Sequence, residues 1–473
     1  MNQTASFRLL DRLKGWRLWS PGGRELTVGA VQPALPDSDA GRVRAQMQAC
    51  LESRGGDVSS RQRAAMLGRA YLNLNADGRE RFLRMLAGEF GADQAAVDAA
   101  IARVQAADGP DGRLAAEQAL RAALEPPRIR LLTQFNALPE GVKFLVDMRA
   151  ELMPLARRAP ALAALEADLK ALLVSWFDVG FLELKRVTWH SPAALLEKII
   201  AYEAVHAIQS WDDLKNRLDS DRRLYAFLHP RMPDEPLIFV QVALVNGMAN
   251  NVQAVLDESA PVQDHEAADT AIFYSISNAQ MGLAGISFGN FLIKRVVDSL
   301  SHEFPNLKTF ATLSPIPGFR RWLDQRLAEG EPGLLNSSEH KAITAVAKGG
   351  AKGGLKALLS RPDWPSDEAA VQALKGPLMR LAARYLGGEK RPAETPGGPV
   401  RALDPVAHFH LSNGARMERL NWLGDVSPKG LGQSAGLMIN YLYKLSEIDR
   451  NHESYSAQGK IAMSSSIRGL VRG

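Results

Sequence analysis

Apolar residues in the first third of the chain recur three and four positions apart, the spacing that places them on one face of an α-helix. The clearest such segments are 61–74, 79–87, 93–104 and 113–124. Asp77 and Asp93 stand where helices are expected to begin, because an aspartate oxygen can accept hydrogen bonds from the free amides of a first turn. The pattern predicts an antiparallel helical bundle over residues 1–180, which serves as support or in subunit association.

The pattern changes after Gly180, where short apolar runs rich in β-branched residues appear. Residues 236–244, 270–276 and 308–313 have the length and composition of strands, and 291–300 are amphipathic at helical spacing. Strand, glycine-rich turn, helix and strand in this order indicate an α/β arrangement. We therefore predict a second, mixed α/β domain over residues 181–473.

Two stretches of the second domain are expected to be exposed and mobile insertions. Residues 347–354 repeat the unit Ala-Lys-Gly-Gly, and residues 387–399 are dense in glycine and proline. Such compositions are typical of loops. The insertions are placed near 345–356 and 387–400.

Composition restricts the class of protein. The 473 residues carry a net charge of +5, which favours an anionic partner such as a coenzyme, and no basic tract suggests nucleic acid. A single cysteine, Cys50, rules out an intramolecular disulfide and a thiolate zinc cluster. No run of eighteen apolar residues occurs, so we predict no membrane span. The N-terminus lacks the apolar core of a secretory signal. We expect a cytoplasmic, bacterial protein.

A glycine-rich turn follows the strand predicted over 270–276. It contains Gly282, Gly285 and Gly289, and a helix is expected directly after it. The unpaired amides at the start of a helix carry partial positive charge, and glycine allows a phosphate to approach them closely. The turn is therefore a candidate site for the diphosphate of a coenzyme, although a turn with a purely structural role has the same composition.

A second interpretation of the same turn is a nucleophile elbow. Gly285-Ile-Ser-Phe-Gly289 matches G-x-S-x-G, with Ser287 as the nucleophile and Asp404 and His410 following in the order of an α/β-hydrolase triad. An elbow serine directly follows its strand, whereas about eight residues separate Ile276 from Gly285 here. No His-Gly-Gly-Gly oxyanion motif precedes it. The hydrolase is therefore the weaker hypothesis.

Six segments, taken together in this order and at these spacings, resemble the malonyl-CoA decarboxylase family. They are Arg186-Val-Thr-Trp-His-Ser-Pro192, Ala271-Ile-Phe-Tyr-Ser-Ile-Ser277, Phe291-Leu-Ile-Lys-Arg-Val-Val297, Leu313-Ser-Pro-Ile-Pro-Gly-Phe319, Phe409-His-Leu-Ser-Asn-Gly-Ala415 and Gly436-Leu-Met-Ile-Asn-Tyr441. The resemblance extends over roughly residues 173–445. It implies a helical N-terminal domain, a catalytic domain with an N-acetyltransferase-like mixed α/β fold, and a homo-oligomer (dimer or tetramer) assembled through the helices.

The resemblance also implies the residues of the site. It assigns a catalytic pair to Ser314 and His410, with the serine as proton acceptor and the histidine as proton donor, and it places Ser275 and Tyr443 nearby. It assigns coenzyme binding to the following turn residues: Ala284, Gly285, Ile286, Ser287, Phe288, Gly289 and Asn290. Some members of the family have a glutamate where this sequence has Ser287, so an essential carboxylate in the turn is in doubt.

The implied reaction converts malonyl-CoA to acetyl-CoA and CO2. Loss of CO2 leaves an enolate, which the thioester carbonyl stabilises, so we expect that no metal or organic cofactor takes part. Donors fixed around the developing oxyanion are expected to contribute most, and a histidine suits the delivery of the proton. The alternatives are an acyltransferase on the same fold and a non-catalytic sensor of acyl-CoA.

The two histidines around Phe409 permit another interpretation. On a strand, His408 and His410 would lie on the same face and could bind a metal ion together. No third ligand can be named from the sequence, so we predict no metal site. Tyr441 and Tyr443 are expected to be core or pocket-wall residues rather than acids.

Overall fold

A computed structural model describes residues 31–52, 56–286, 292–347, 354–393 and 397–472. It divides into two compact units. The described part of the first unit comprises the residues up to Leu182, His229–Pro233 and residues 280–286, and the second unit contains the remainder. A segment that lies late in the sequence, 280–286, therefore belongs to the same unit as the N-terminal helices.

The first unit is helical, as the spacing of its apolar residues predicts. Its α-helices span Asp37–Leu51, Gly56–Asn73, Ala76–Glu89, Gln94–Ala106, Gly109–Leu124, Pro127–Asn136, Gly141–Ala156 and Pro160–Trp176. Their apolar faces form a core in which Tyr71, Phe82, Phe135 and Phe144 meet edge to face. This arrangement confirms the predicted helical N-terminal part.

The two predicted helix caps have different outcomes. The side chain of Asp93 accepts hydrogen bonds from the amides of Ala95 and Ala96, so this prediction is confirmed. The prediction for Asp77 is wrong, because Asn75 caps that helix and Asp77 lies within its first turn. An asparagine two positions earlier supplies an equally good acceptor, and the helix starts there.

The second unit is built on a mixed sheet. The strands are β1 (Glu183–Val187), β2 (Arg222–His229), β3 (Met232–Val245), β4 (Thr270–Asn278), β5 (Thr309–Thr312), β6 (Ser314–Pro315), β7 (Lys390–Arg391), β8 (Arg401–Ala402), β9 (Arg416–Asn421) and β10 (Met438–Leu442). The order of the main sheet is β1-β2-β3-β4-β5-β10-β6, with β9 paired to β10, while β7 and β8 form a separate ribbon. The pair β4–β5 is parallel, whereas β3–β4, β5–β10 and β6–β10 are antiparallel.

Helices occur between and after these strands, from Ala193 to Arg472. They span Ala193–Tyr202, Trp211–Asn216, Val252–Val255, Leu292–Glu303, Phe319–Glu329, Ser337–Val346, Gly354–Ser360, Glu368–Gly388, Pro405–Ser412, Pro428–Ser434, Ile448–Gln458 and Ser465–Arg472. The runs predicted as strands lie in β3, β4 and β5, and the amphipathic segment forms the helix Leu292–Glu303. The predicted order of a helical part and a mixed α/β domain is confirmed.

The structure describes only parts of the two glycine-rich stretches. The helix Glu368–Gly388 extends through Gly387, and β7 pairs with β8 across the second stretch. Residues Gly354–Ser360 form a helix because Leu355, Leu358 and Leu359 are buried. Residues 348–353 and 394–396 lie outside the described part of the chain. None of the described helices is both long enough and apolar enough to span a membrane.

Candidate active site

A pocket in the second unit lies where two neighbouring parallel strands separate. Strands β4 and β5 pair from Thr270 to Phe273, and the amide of Leu313 then donates to the carbonyl of Phe273 at 2.9 Å. Beyond this point β4 carries a bulge at Tyr274, which faces the register shift between Gln241 and Val242 of β3. The pocket is lined by Val205, Phe273, Tyr274, Ile276, Asn278, Leu313, Ser314, Pro315, Pro405, Val406, Phe409 and His410. Most of these side chains are apolar, so the few polar groups are prominent.

Ser314 reaches this pocket from the short strand β6. Its backbone pairs with Ile439 of β10, and the residue is 5% exposed. Its Oγ donates to Oγ1 of Thr312 at 2.8 Å, and that hydroxyl also accepts the amide of Tyr441 at 3.1 Å. The serine hydroxyl is therefore held in one orientation by buried neighbours.

His410 enters the pocket from the last turn of the helix Pro405–Ser412 and is 3% exposed. Asp404 caps this helix and Pro405 occupies its first position, a combination that favours a helix start. Nε2 of His410 lies 3.1 Å from Oγ of Ser314, and Nδ1 lies 2.8 Å from the hydroxyl of Tyr443. The sequence-predicted pair is thus joined by a hydrogen bond, with Tyr443 as the next partner.

The hydrogen-bond pattern around His410 fits a neutral imidazole with its proton on Nε2. Because the Ser314 hydroxyl donates to Thr312, the contact between Ser314 and His410 needs a proton on Nε2. Tyr443 then donates its hydroxyl proton to Nδ1. Burial agrees with a neutral ring, since it lowers the pKa of His410 to about 3 and raises the pKa of Tyr443 well above its usual value.

An aromatic ring supports the imidazole from one side. The ring of Tyr441 stacks on that of His410, with centroids 4.5 Å apart and planes inclined by 24°. The hydroxyl of Tyr441 is buried and has no hydrogen-bond partner among the described residues. Tyr441 therefore contacts the histidine through its ring, whereas Tyr443 contacts it through its hydroxyl.

Asp404 connects the two segments that carry the pair. Its Oδ1 accepts the amides of Val406 and Ala407 at 3.0 Å each, and its Oδ2 lies 3.4 Å from the amide of Gly318 and 3.3 Å from the hydroxyl of Tyr385. Burial raises the pKa of this carboxyl. The carboxylate therefore caps the histidine helix and contacts the segment after Ser314, and it does not act as the acid of a hydrolase triad.

The glycine-rich turn is described only in part. Ala284, Gly285 and Ile286 belong to the first unit, and Gly285 has a φ of +73°, which suits glycine. The other turn residues assigned from the sequence, Ser287, Phe288, Gly289 and Asn290, lie outside the described residues. Strand β4 ends at Asn278 and a 3₁₀ turn follows at Met281–Leu283, so Ser287 does not directly follow its strand as an elbow serine does.

Ser275 lies in a polar cluster next to the pocket rather than in its wall. Its Oγ donates to the carboxylate of Glu203 at 2.8 Å, and Ser277 donates to the same group at 3.2 Å. The carboxylate of Glu203 also accepts the amides of Val205 and His206. Since Val205 lines the pocket, Ser275 and Glu203 together fix one side of its wall.

The strand interpretation of His408 and His410 is wrong. Both residues lie on a helix, where side chains two positions apart point to nearly opposite sides. His408 accordingly contacts the hydroxyl of Tyr455 at 2.9 Å, away from Tyr443. In the described part of the chain, no group of three His, Cys, Asp or Glu side chains is arranged to hold a metal ion.

Sequence reasoning missed Thr312 and Glu203. Thr312 and Ser314 are two positions apart in extended chain, a spacing that puts both hydroxyls on one side and was a usable signal. Glu203 follows the helix Ala193–Tyr202 and meets β4 only in the folded chain, so no local pattern marks it.

Comparison with known proteins agrees with the geometry. The family model described as malonyl-CoA decarboxylase C-terminal domain matches residues 180–473, and the model of the corresponding N-terminal domain matches residues 90–177. The mitochondrial malonyl-CoA decarboxylase of Mus musculus is 40% identical over 98% of this chain and 96% of its own length.

Solved structures give the same result. The malonyl-CoA decarboxylase of Rhodopseudomonas palustris is 43% identical, with a TM-score of 0.82 over 91% of this chain and 99% of that one. The enzyme of Agrobacterium vitis is also 43% identical, with a TM-score of 0.80 and the same coverage of both chains. This chain is a carboxy-lyase that belongs to the malonyl-CoA decarboxylase family.

Proposed function

We propose that this chain converts malonyl-CoA to acetyl-CoA and CO2 in the pocket that contains Ser314 and His410. The observation that carries the proposal is the 3.1 Å contact between Nε2 of His410 and Oγ of Ser314 in a mostly apolar cavity. In the reaction, the bond between the carboxylate carbon and the methylene carbon breaks. Its electron pair forms an enolate with the thioester, and the methylene carbon then takes up one proton.

The apolar wall favours the first step. Phe273, Ile276, Leu313 and Phe409 surround the polar pair and leave little room for water around a bound carboxylate. A carboxylate that loses its hydration is destabilised, whereas the CO2 that it becomes is neutral. The enclosed site therefore favours the bond cleavage.

The polar pair serves the enolate. Without substrate, the single hydroxyl proton of Ser314 points at Thr312, and the N–H on Nε2 of His410 points at Ser314. When an enolate oxygen lies beside the pair, these two protons turn to it, and hydrogen bonds to a developing oxyanion stabilise it. We assign Ser314 and His410 as the hydrogen-bond donors to the enolate oxygen or to the carboxylate that precedes it.

The negative charge of the bound substrate favours protonation of His410. In the pocket without substrate, burial lowers the pKa of His410 to about 3. A malonyl carboxylate beside the ring has the opposite effect, because a nearby negative charge favours the imidazolium. We propose that His410 gains its proton as the substrate binds and then delivers it to the methylene carbon, with Ser314 accepting and relaying protons.

The coenzyme portion is assigned to the glycine-rich turn, Ala284 to Asn290, whose amides suit a diphosphate. We propose that no metal or organic cofactor takes part, since the thioester carbonyl accepts the electron pair. Activity that survives dialysis against EDTA supports this; activity restored only by a metal ion contradicts it.

Two further expectations rest on the sequence. We propose that the helical part assembles the chain into a homodimer or homotetramer and that the protein is cytoplasmic. Light scattering after size-exclusion chromatography tests the assembly, and a monomer would contradict it. Cell fractionation tests the compartment.

The decisive experiment is turnover of malonyl-CoA by the purified chain in D2O. We expect acetyl-CoA with one deuterium in its methyl group, together with one CO2 for each thioester consumed. Mass spectrometry distinguishes this product from free coenzyme A, which a hydrolase would release. Absence of acetyl-CoA, with and without added divalent metal, would overturn the proposal.

A further inference from the structure

The helical unit contains an arginine that is buried far more deeply than its charge favours. Arg149, on the helix Gly141–Ala156, is 2% exposed. Its Nε and Nη2 donate to Oε1 of Glu166 at 2.9 Å and 2.6 Å. A buried charge of this kind needs a partner and further hydrogen bonds to offset the loss of water.

The remaining nitrogen of the guanidinium binds the glycine-rich turn. Nη1 of Arg149 donates to the carbonyl of Gly282 at 2.6 Å and to that of Ala284 at 3.0 Å. Both carbonyls belong to residues 280–286, which are part of the same compact unit as the helices. The arginine therefore joins Glu166 to the backbone that leads into the turn.

Packing around Gly282 shows how closely this segment lies against the helix Gly141–Ala156. A Cβ at this position would meet the carbonyl oxygen of Val146 at 1.7 Å, so a side chain is excluded there. A Cβ at Gly285 would lie 3.5 Å from Nζ of Lys170, which belongs to the helix Pro160–Trp176. The described start of the turn is fixed by groups of the helical unit.

We infer that Arg149 is a positioning residue for coenzyme binding at the glycine-rich turn. In a trans peptide the carbonyl and the next amide point in opposite directions. When Arg149 binds the carbonyl of Ala284, the amide of Gly285 is directed away from the guanidinium. The arginine thus sets the direction of a backbone donor in the turn. This inference rests on the proposed assignment of the turn to the coenzyme.

Two substitutions test the role, and another buried arginine provides a matched control. Arg149→Lys keeps the charge but cannot bind one carboxylate and two carbonyls with a rigid fork, and Arg149→Met removes the charge. Arg128 is 7% exposed in the same unit, where it binds Asp168 and the carbonyl of Ala87 and has no hydrogen bond to the described residues of the turn. Arg128→Met therefore reports the cost of losing a buried arginine from the helices.

The kinetic readout compares two thioesters. Malonyl-CoA contains the diphosphate, whereas the malonyl thioester of N-acetylcysteamine lacks it. For both Arg149 variants we expect the KM for malonyl-CoA to rise by about tenfold, with kcat within about twofold of the parent. The KM for the truncated thioester should not change. Arg128→Met should lower the melting temperature and leave both KM values as they are.

Equal KM changes in the Arg149 and Arg128 variants, or equal changes for the two thioesters, would overturn the inference. Should Arg149→Met not fold, Arg149→Lys decides by the same comparison. Calorimetry with free coenzyme A separates this inference from the proposed reaction. A parent protein that binds coenzyme A without turning over malonyl-CoA overturns the reaction, while weaker binding by the Arg149 variants alone still supports the role of Arg149.

Discussion

Nε2 of His410 and Oγ of Ser314 lie 3.1 Å apart although ninety-six positions separate the two residues in the chain. Strand β6 supplies the serine through its pairing with β10, and the last turn of the helix Pro405–Ser412 supplies the histidine. Neither element would place its side chain in the pocket without the other parts of the second unit. The pair is therefore the point at which the reaction is most sensitive to substitution.

Replacement of His410 should remove the proton donor. We expect His410→Asn to lower kcat by about 10²–10⁴, the range typical of a general acid or base. His408→Asn is a matched control, because His408 lies on the same helix but contacts Tyr455. Steady-state kinetics with malonyl-CoA and melting curves of both variants provide the comparison. Similar kcat values for the two variants would show that His410 does not deliver the proton.

Loss of the serine hydroxyl should weaken the stabilisation of the enolate. We expect Ser314→Ala to lower kcat by about 10²–10³, as for the loss of one donor to an oxyanion. Thr312→Val keeps the serine and removes the hydroxyl that accepts from Ser314 and from the amide of Tyr441, so its effect on kcat should have the same direction and be smaller. Single-turnover rates of both variants check that the loss is larger in Ser314→Ala than in Thr312→Val. A larger loss in Thr312→Val than in Ser314→Ala would contradict the assignment.

The two tyrosines beside His410 should differ sharply when each is replaced by phenylalanine. Tyr443→Phe removes the hydrogen bond to Nδ1, and we expect kcat to fall by about tenfold because a buried acceptor loses its partner. Tyr441→Phe keeps the ring that stacks on the imidazole and removes a hydroxyl without a partner in the described chain. Its kcat and melting temperature should match or exceed those of the parent. Identical effects of the two changes would exclude the assigned tautomer.

The buried histidine should make the protein less stable in acid. In the native state burial lowers the pKa of His410 to about 3, whereas a histidine in the unfolded chain titrates near its usual value of about 6.5. Between these values the unfolded state binds the proton and the native state does not, so stability falls as the pH decreases. His410 accounts for about 1.4 kcal/mol of this loss for each pH unit below 6.5.

Urea unfolding at pH 7.0 and pH 5.5 measures this effect. The free energy of unfolding should decrease more in the parent than in His410→Asn, which has no proton to bind at this position. Other titrating groups cancel in the comparison, because both proteins contain them. A parallel loss of stability in the two proteins would mean that His410 is not held neutral in the native state.

Local patterns predicted the regular elements well. The strands β3, β4 and β5 are nearly continuous apolar runs because they are buried on both faces, and such runs are recognisable without knowledge of their partners. The N-terminal helices are recognisable because each has an apolar stripe of its own. Asp404-Pro405 marks the start of a helix in the sequence, and this helix, rather than the strand considered as an alternative, sets the directions of His408 and His410.

The sequence by itself determined the helical and mixed α/β parts through local periodicity, and the resemblance of its motifs to a family pointed to Ser314 and His410. Only the tertiary structure decided that Thr312 and Tyr443 orient that pair and that Arg149 holds the turn beginning at Ala284. These contacts join residues distant in sequence, and their geometry depends on strand pairing and helix packing. A hydrogen bond needs both distance and direction to be correct, and folding alone sets these.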